Sequence, residues 1–248
     1  MAGIYETGHA KNVANFETLI LAIEGYGNVY NPGNASIQIT NLGKLLETAG
    51  LKMSDLNIAL AKNSISMANR DQVFSPLRPI STRILNTVGS CGTTPQIFNS
   101  VRSLVHKIQG IRAKAKLTEE EKAALAAQGA APKEISSSQT GFINRIDFLD
   151  KLIQLLAIIT QYSPNEGELK VVSLTSYYNT LKAVNTDALA VENQLNNARL
   201  SRNEALYTPV NGLIDTAKTS KMYIKSAFGA RSTQYKQISK LVFREITI

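Results

Sequence analysis

Residues 54–77 read SDLNIALAKNSISMANRDQVFSPL, and residues 186–210 read TDALAVENQLNNARLSRNEALYTPV. A shift of 132 positions aligns the acids at the second position of each stretch and places Arg70 on Arg202. Each stretch opens with a residue type that caps helices, and each reaches a proline soon after its arginine. Because a repeated unit sets the architecture of a chain, the two stretches predict a fold built from two copies of one segment.

The same shift relates the helices that precede these stretches. Apolar residues spaced by three and four predict one helix face in each copy. Proline and its neighbours stop this helix at residues 31–34 and again at residues 163–165. A second helix follows each stop, and in the first copy it is expected to end near Gly50. The first face consists of Phe16, Ile20, Ile23, Gly27 and Tyr30, and its counterpart of Phe148, Leu152, Leu155, Ile159 and Tyr162.

The quoted stretch predicts the longest helix of each copy, beginning at Ser54 and at Thr186. Spacings of four and three are typical of a coiled-coil-like seam, which Asn63 and Arg70 interrupt. The prolines that follow are expected to break or kink the helix, because each removes a hydrogen bond and crowds the preceding turn. The seam comprises Leu56, Leu60, Asn63, Met67, Arg70, Phe74 and Leu77, then Val191, Leu195, Ala198, Arg202, Ala205 and Leu213, and the prolines are Pro76, Pro79 and Pro209.

Further helices complete each copy. Thr94-Pro95 is a typical cap followed by a first-turn proline and predicts a helix, whose shorter counterpart begins at Ser232. The final residues, LVFREITI, favour β structure and predict a short strand or an extended tail. Between the copies, residues 118–128 predict a short helix and residues 129–139 a connection.

These elements predict an all-α protein, an elongated helical bundle built from an internal duplication. Residues 1–112 form the first copy, residues 113–140 a linker with the short helix, and residues 141–248 the second copy, related to the first by a pseudo-twofold axis. Each copy exposes an apolar stripe that it cannot bury alone. We therefore expect both copies to share one core within a single domain.

The bulk properties describe a basic soluble protein. The chain has 248 residues and a formal net charge of +8, which favours an anionic partner. Its single cysteine, Cys91, rules out an intrachain disulfide and fits a reducing compartment. The N-terminus lacks the apolar region of a secretory signal, and the most apolar run, residues 152–159, is too short to span a bilayer. We expect a cytoplasmic protein without a transmembrane segment.

Several short motifs also resemble a known group of proteins. They are Tyr30-Asn31-Pro32, Thr82-Arg83-Ile84, Lys107-Ile108-Gln109-Gly110, and Tyr235 to Leu241, which reads YKQISKL. Together they resemble an all-helical bacterial family, associated with the Bacteroidetes, that has no assigned activity. The resemblance covers nearly the whole chain and implies a bacterial origin, and it transfers no functional residues.

Positive charge is concentrated in the later half of each copy. Residues 72–118 and residues 216–244 each contain seven bases and no acid. Residues 13–71 carry four bases and five acids, and residues 145–204 carry six bases and seven acids. The candidate anion- or partner-binding residues are Arg78, Arg83, Arg102, Lys107, Arg112 and Lys114 in the first copy, and Lys218, Lys221, Lys225, Lys236 and Lys240 in the second.

Three interpretations of these basic halves remain open. They could line a surface that contacts nucleic-acid phosphates, or they could dock the more acidic halves of neighbouring molecules. They could also be solvated helix faces that keep the protein soluble. Few aromatic residues accompany the bases, which disfavours a stacking platform for single strands.

Arg70 and Arg202 are predicted on the apolar seams of equivalent helices. A buried arginine needs polar partners or a route for its head group to water. One interpretation is an anion clamp inside the bundle. The favoured interpretation is a buried ion pair that sets helix register, with Asp71, Asp187 or Glu204 as partner.

No set of residues indicates catalysis. The segment from Gly89 to Thr94, GSCGTT, lacks the preceding strand and the Gly-Lys-Ser/Thr ending of a phosphate-binding loop, and it is predicted to connect two helices. Cys91 lacks a clear thiolate-stabilising context, and two distant histidines, His9 and His106, disfavour a metal site or triad. The glutamates at 119–121 fit the N-terminus of a helix. We expect no enzyme activity, no cofactor and no metal.

Three functions remain in view. The favoured one is a non-enzymatic structural or self-assembling protein that forms a homo-oligomer through complementary basic and acidic halves. The alternative is sequence-independent binding of nucleic acid or another polyanion by the basic later halves. A weaker alternative is a helical pore-former, for which residues 152–159 are a poor membrane hairpin.

Overall fold

The computed structural model describes residues 8–111, 127 and 141–246. In this part of the chain the regular structure is helical and no strand occurs, which confirms the all-α prediction. The helices are α1 (Gly8–Glu24), α2 (Ile39–Phe74), α3 (Leu77–Ser90), α4 (Pro95–Gln109), α5 (Phe142–Ile158), α6 (Val171–Tyr207), α7 (Leu213–Phe228) and α8 (Thr233–Ser239). Short 3₁₀ turns lie at Gly27–Val29, Ala35–Ile37 and Gly167–Leu169. Apart from residue 127, the helix predicted over 118–128 lies outside the described residues.

The chain divides into two compact units that do not follow the predicted repeat boundaries. The terminal unit consists of Met1–Ser64 and Val191–Ile248, and the central unit of Ile65–Ala190. Buried hydrophobic residues form one cluster in each unit, where the sequence predicted one shared core. The long helices α2 and α6 each begin in one unit and end in the other.

In the terminal unit, the first hairpin packs against the last helices of the chain. Helix α1 contacts α7 and α8, and α7 also contacts the 3₁₀ turn Ala35–Ile37. The central unit has the matching arrangement, since α4 packs on α5 and α3 contacts the 3₁₀ turn Gly167–Leu169. The later half of each predicted copy therefore covers the hairpin of the other copy.

Helix α2 is longer than the sequence predicted. The sequence predicted a stop near Gly50 and a new helix from Ser54, but one helix of 36 residues runs through both positions. Glycine inside a helix costs only about 1 kcal/mol relative to alanine, which burial of Leu42, Ala49 and Leu56 outweighs. An unbroken helix of 36 residues rises about 54 Å.

The buried line of α2 differs from the predicted seam at one position. Leu60 is 41% exposed, whereas Ser66 is buried. Ser66 Oγ donates to the carboxylate of Asp187 at 3.2 Å, which satisfies the buried hydroxyl. Between Leu56 and Phe74 the buried residue of α2 is therefore a serine in a polar contact, and the leucine expected in the seam at position 60 is exposed.

Helix ends follow their local sequence. Helix α2 stops at Phe74, and Pro76 occupies the N-cap of α3, which confirms the predicted break. Pro79 lies in the first turn of α3, where its missing N–H removes no helical hydrogen bond. The Thr94 hydroxyl accepts from Ile97 N, and Pro95 is the first residue of α4, as predicted.

The described part of the C-terminal sequence is an extended tail. Asn12 on α1 binds both backbone groups of Arg244: its side-chain nitrogen donates to the carbonyl at 2.7 Å, and its oxygen accepts from the N–H at 3.1 Å. Asn15 donates to the Val242 carbonyl at 2.8 Å. The β-prone tail therefore satisfies backbone groups with side-chain amides instead of a strand partner.

One hydrogen bond occurs at equivalent positions of the two predicted copies. The Tyr30 hydroxyl donates to the Ile37 carbonyl at 2.7 Å, and the Tyr162 hydroxyl donates to the Leu169 carbonyl at 2.7 Å. Burial is the main reason that the pKa of each phenol rises to about 12. Each hydrogen bond links the segment that follows the first helix to the 3₁₀ turn that precedes the long helix.

Candidate functional site

The predicted basic residues lie on exposed helix faces in both units. Arg112 and Lys114 fall outside the described residues. Arg78, Arg83, Arg102 and Lys107 lie on α3 and α4 of the central unit, and Lys218, Lys221, Lys225, Lys236 and Lys240 lie on or next to α7 and α8 of the terminal unit. Each unit therefore carries its own basic group.

Several of these bases have partners within their unit. Arg83 pairs with Glu168 in the 3₁₀ turn, and the Lys107 ammonium lies 5.4 Å from the centre of the Phe148 ring. Lys218 pairs with Asp215 at 3.2 Å. Such exposed pairs contribute at most about 1 kcal/mol each, so they leave the charge available to a partner.

Lys221 has a structural position. Its ammonium donates to the backbone carbonyls of Ser239 at 3.1 Å and Leu241 at 2.7 Å, at the end of α8. Partial burial lowers its pKa. The lysine therefore caps the short helix where the chain turns into the tail.

Arg70 packs on an aromatic ring in the central unit. Its guanidinium carbon lies 3.9 Å from the centre of the Phe142 ring, and one terminal nitrogen donates to the Met67 sulfur at 2.9 Å. Among the described residues its buried Nε has no hydrogen-bond partner, and Asp71 does not pair with it. The predicted ion pair is therefore replaced by stacking, because the planar guanidinium suits a ring face.

Arg202 in the terminal unit is only 7% exposed. Its Nε and one terminal nitrogen donate to the Asn203 side-chain oxygen at 3.0 and 2.7 Å. Burial is the largest influence on its pKa, which is lowered. Within the described residues neither predicted arginine has a carboxylate partner; Glu204 remains exposed, and Asp187 binds Ser66.

His9 belongs to the same polar cluster, which its sequence position did not indicate. Its Nδ1 lies 2.5 Å from the Tyr207 hydroxyl. Burial, followed by the charge of Arg202, lowers the pKa of His9. Burial raises the pKa of Tyr207. We assign a neutral His9 ring whose Nδ1 accepts a hydrogen bond from the Tyr207 hydroxyl. The cluster therefore links α1 to the end of α6.

The terminal unit has an open groove of about 240 Å³ between α2 and α6. Its lining combines aliphatic side chains with one acid and one base on α2 and an amide on α6. The lining residues are Asp55, Ile58, Ala59, Lys62, Val191, Gln194 and Ala198.

The central unit has a cavity of about 270 Å³. It combines aromatic and aliphatic walls with Arg78 and Arg145, whose Nε is buried without a partner among the described residues. Gln109 on its wall is engaged, since it donates to Ser81 and Thr82 on α3. Its lining includes Ile108 and Gln109 at the end of α4 and Phe142 and Arg145 at the start of α5.

The other motifs considered for chemistry or membrane insertion lie in loops or in the core. The segment after Ser90 connects α3 to α4, as predicted, and Cys91 there is half-buried. Across the described ranges, no three His, Cys, Asp or Glu side chains come together as a metal site. Leu152 and Leu156 are buried in the core of the central unit. No described helix is long and apolar enough to cross a membrane.

Comparisons of the chain with protein-family models, curated proteins and solved structures found no match. The resemblance to a Bacteroidetes-associated family therefore stays a prediction.

Proposed function

We propose that the chain is a non-enzymatic structural protein that associates with further copies of itself. One observation carries the proposal: in the terminal unit, α2 leaves the apolar side chains Leu51 and Ile58 exposed on one face. Leu51 and Ile58, spaced by seven residues, are 58% and 51% exposed. Side chains at this spacing share a helix face, and helices usually cover such faces by packing against another helix.

The charge distribution supports association between copies. The basic faces of α3 and α4 carry Arg102, and those of α7 and α8 carry Lys236 and Lys240, all exposed. The earlier half of each copy is less basic, with four bases and five acids in residues 13–71 and six bases and seven acids in residues 145–204. Complementary charge on separate surfaces of one chain steers copies together and fixes their register.

We also propose that the chain consists of two fused copies of one ancestral segment. The order of helix, 3₁₀ turn, long helix and two shorter helices occurs twice. The tyrosine-to-carbonyl hydrogen bond recurs at a shift of 132 positions, from Tyr30 to Tyr162 and from Ile37 to Leu169. If the later half of one ancestral segment covers the hairpin of another, two separate segments must associate to bury their apolar residues. Fusion of the two segments into one chain makes that association permanent.

Light scattering coupled to size-exclusion chromatography tests self-association. We expect the mean mass to rise with protein concentration and to exceed that of one 27.0 kDa chain. High salt should lower the mass if charge contributes, because salt screens exposed charges. A mass of one chain at every concentration and salt would contradict the proposal.

A second candidate is sequence-independent binding of nucleic acid. The exposed bases of α3 and α4, with Arg102 and Lys107 one turn or more apart, favour it. We expect Arg102→Glu with Lys107→Glu to abolish salt-sensitive retention of duplex DNA and of RNA. The paired variant Lys44→Glu with Lys182→Glu, at exposed positions of α2 and α6, is the charge-matched control. No retention of either nucleic acid by the unaltered protein at low salt would exclude this candidate.

A further inference from the structure

The groove of the terminal unit carries one acid and one base, arranged so that two antiparallel copies of the groove would bring opposite charges together. Asp55 and Lys62 lie seven residues apart on α2, two turns that span about 10.5 Å. Ile58 lies between them, and all three line the groove. Within the described residues Lys62 forms no ion pair, and Asp55 has a 3.7 Å contact with Lys52 that is largely exposed to solvent.

We propose that this groove binds the same groove of a second copy, with the two α2 helices antiparallel about a twofold axis near Ile58 and Ala59. This inference rests on the proposed self-association and names its surface. In an antiparallel pair centred there, Asp55 of each copy faces Lys62 of the other. A twofold contact uses one patch twice, so both ion pairs form together.

The sizes of the lining residues fit a helix partner. Ala59 and Ala198 are small lining residues, which allows another backbone to approach. Ile58 of one copy then packs against Ala59 of the other and into the space beside Val191. Burial of a large apolar residue against small ones is the usual mode by which a helix occupies a groove.

Other occupants fit less well. A parallel pair would place Asp55 against Asp55 and Lys62 against Lys62, and like charges in register disfavour it. The groove volume of about 240 Å³ lies below the range of about 300–1,000 Å³ typical of small-molecule pockets. The antiparallel second copy satisfies both charges and covers Ile58.

Charge exchange tests the register. We expect Asp55→Lys and Lys62→Asp each to weaken self-association by about tenfold or more, because each places like charges opposite one another. The double variant, Asp55→Lys with Lys62→Asp, restores opposite charges and should return the dissociation constant to within about threefold of the original. Sedimentation equilibrium measures all four proteins.

Matched controls separate this surface from others in the terminal unit. Glu17→Lys makes the same change of charge as Asp55→Lys on the exposed face of α1. Ile58→Asp should abolish association, whereas Leu21→Asp on α1, where the leucine is 62% exposed, should leave it unchanged. Circular dichroism checks that every variant keeps its helical signal.

Each result has one meaning. Loss in both single variants with recovery in the double variant supports the antiparallel groove. Loss without recovery overturns it, because the two residues then do not face each other. Association that matches the controls in every variant overturns this surface and leaves the proposed function standing on another. Absence of association in the unaltered protein removes both.

Discussion

Val210 has a left-handed backbone, with φ of 71°, in the turn between α6 and α7. A β-branched residue is strained there, because its Cβ crowds the carbonyl that follows. The backbone N–H of Val210 donates to the carboxylate of Asp215 at 3.2 Å, which holds the turn in this conformation. That hydrogen bond is the first cause of the lowered pKa of Asp215, ahead of Lys218.

Replacing Val210 should therefore stabilise the protein. We expect Val210→Asn, which tolerates a left-handed backbone, to raise the free energy of unfolding by about 1 kcal/mol. Gly212→Ala is the contrasting change, since its Cβ would lie 2.6 Å from the Thr208 carbonyl oxygen, and we expect it to destabilise. Urea unfolding followed by circular dichroism measures both. A loss of stability in Val210→Asn would show that the valine side chain contributes more than its strain costs.

His9 should make stability depend on pH. Its pKa is lowered from 6.5 in the folded chain, so the unfolded chain binds the proton more readily. The neutral ring therefore contributes stability above pH 6.5, and this contribution is lost as the pH falls below 6.5 toward the lowered value. Arg202, Tyr207 and Glu245 are the other ionisable groups of this environment.

Denaturation of His9→Gln between about pH 5 and 8 checks the sign. We expect a smaller decline of stability toward acid than in the unaltered protein, with a loss of about 1 kcal/mol at neutral pH from the broken hydrogen bond. His106→Gln removes the other imidazole as a control. An equally steep decline in His9→Gln would exclude His9 as its source.

Among the elements, α2 shows where sequence patterns are ambiguous. Gly50 and the Ser54-Asp55 pair carry the usual signs of a helix end and a new start. The helix continues because Leu42, Ala49 and Leu56 return to one face every seven residues and are buried there. Local capping signals contribute about 1 kcal/mol, and burial of such a face contributes more. The stop at Pro76 and the start at Thr94-Pro95 were predicted because proline changes what the backbone itself can bond.

Gly50→Ala tests the continuous helix. A Cβ at position 50 would meet no atom within 4 Å, and the residue is exposed in the middle of α2. We expect the substitution to stabilise the protein by about 1 kcal/mol, as alanine does inside a helix. Gly27→Ala, at a φ of 57°, is the control that should destabilise. Loss of stability in Gly50→Ala, measured by thermal unfolding, would contradict a helix at this position.

For the molecule as a whole, the apolar stripes were predicted but their partners were not. Phe16 and Phe148 are buried on their helices as the spacing indicates. An apolar stripe, however, shows only that one face of a helix must be buried against another element. It does not identify that element, because α3 and α7 both have apolar faces. The partner of Arg70 was unpredictable for the same reason, because the ring it packs against, Phe142, lies 72 positions away in the chain. Contacts between residues so far apart in the sequence depend on where the long helix that contains one of them ends.

The packing of each predicted copy against the other predicts how the fragments 1–112 and 141–248 behave when they are produced separately. Residues 1–112 contain α1 without its cover, α7 and α8, and contain α3 and α4 without the helix α5 that they cover. Residues 141–248 have the converse deficit. Buried side chains such as Leu19 and Leu149 would then face water in a lone fragment, and exposing each costs about 1.5–3 kcal/mol. We expect neither fragment to be a folded monomer.

Mixing the two fragments should restore the fold. We expect a one-to-one complex whose helical circular dichroism exceeds the sum of the separate signals and which unfolds cooperatively, because each fragment supplies what covers the other. Leu149→Ala in the second fragment is a graded control: it leaves a cavity in the central core worth about 2–5 kcal/mol and should weaken the complex without abolishing helix formation. A cooperative transition in either lone, monomeric fragment would mean that each copy covers its own hairpin, and the exchanged packing of α3 with Gly167–Leu169 and of α1 with α7 would then not describe the protein in solution.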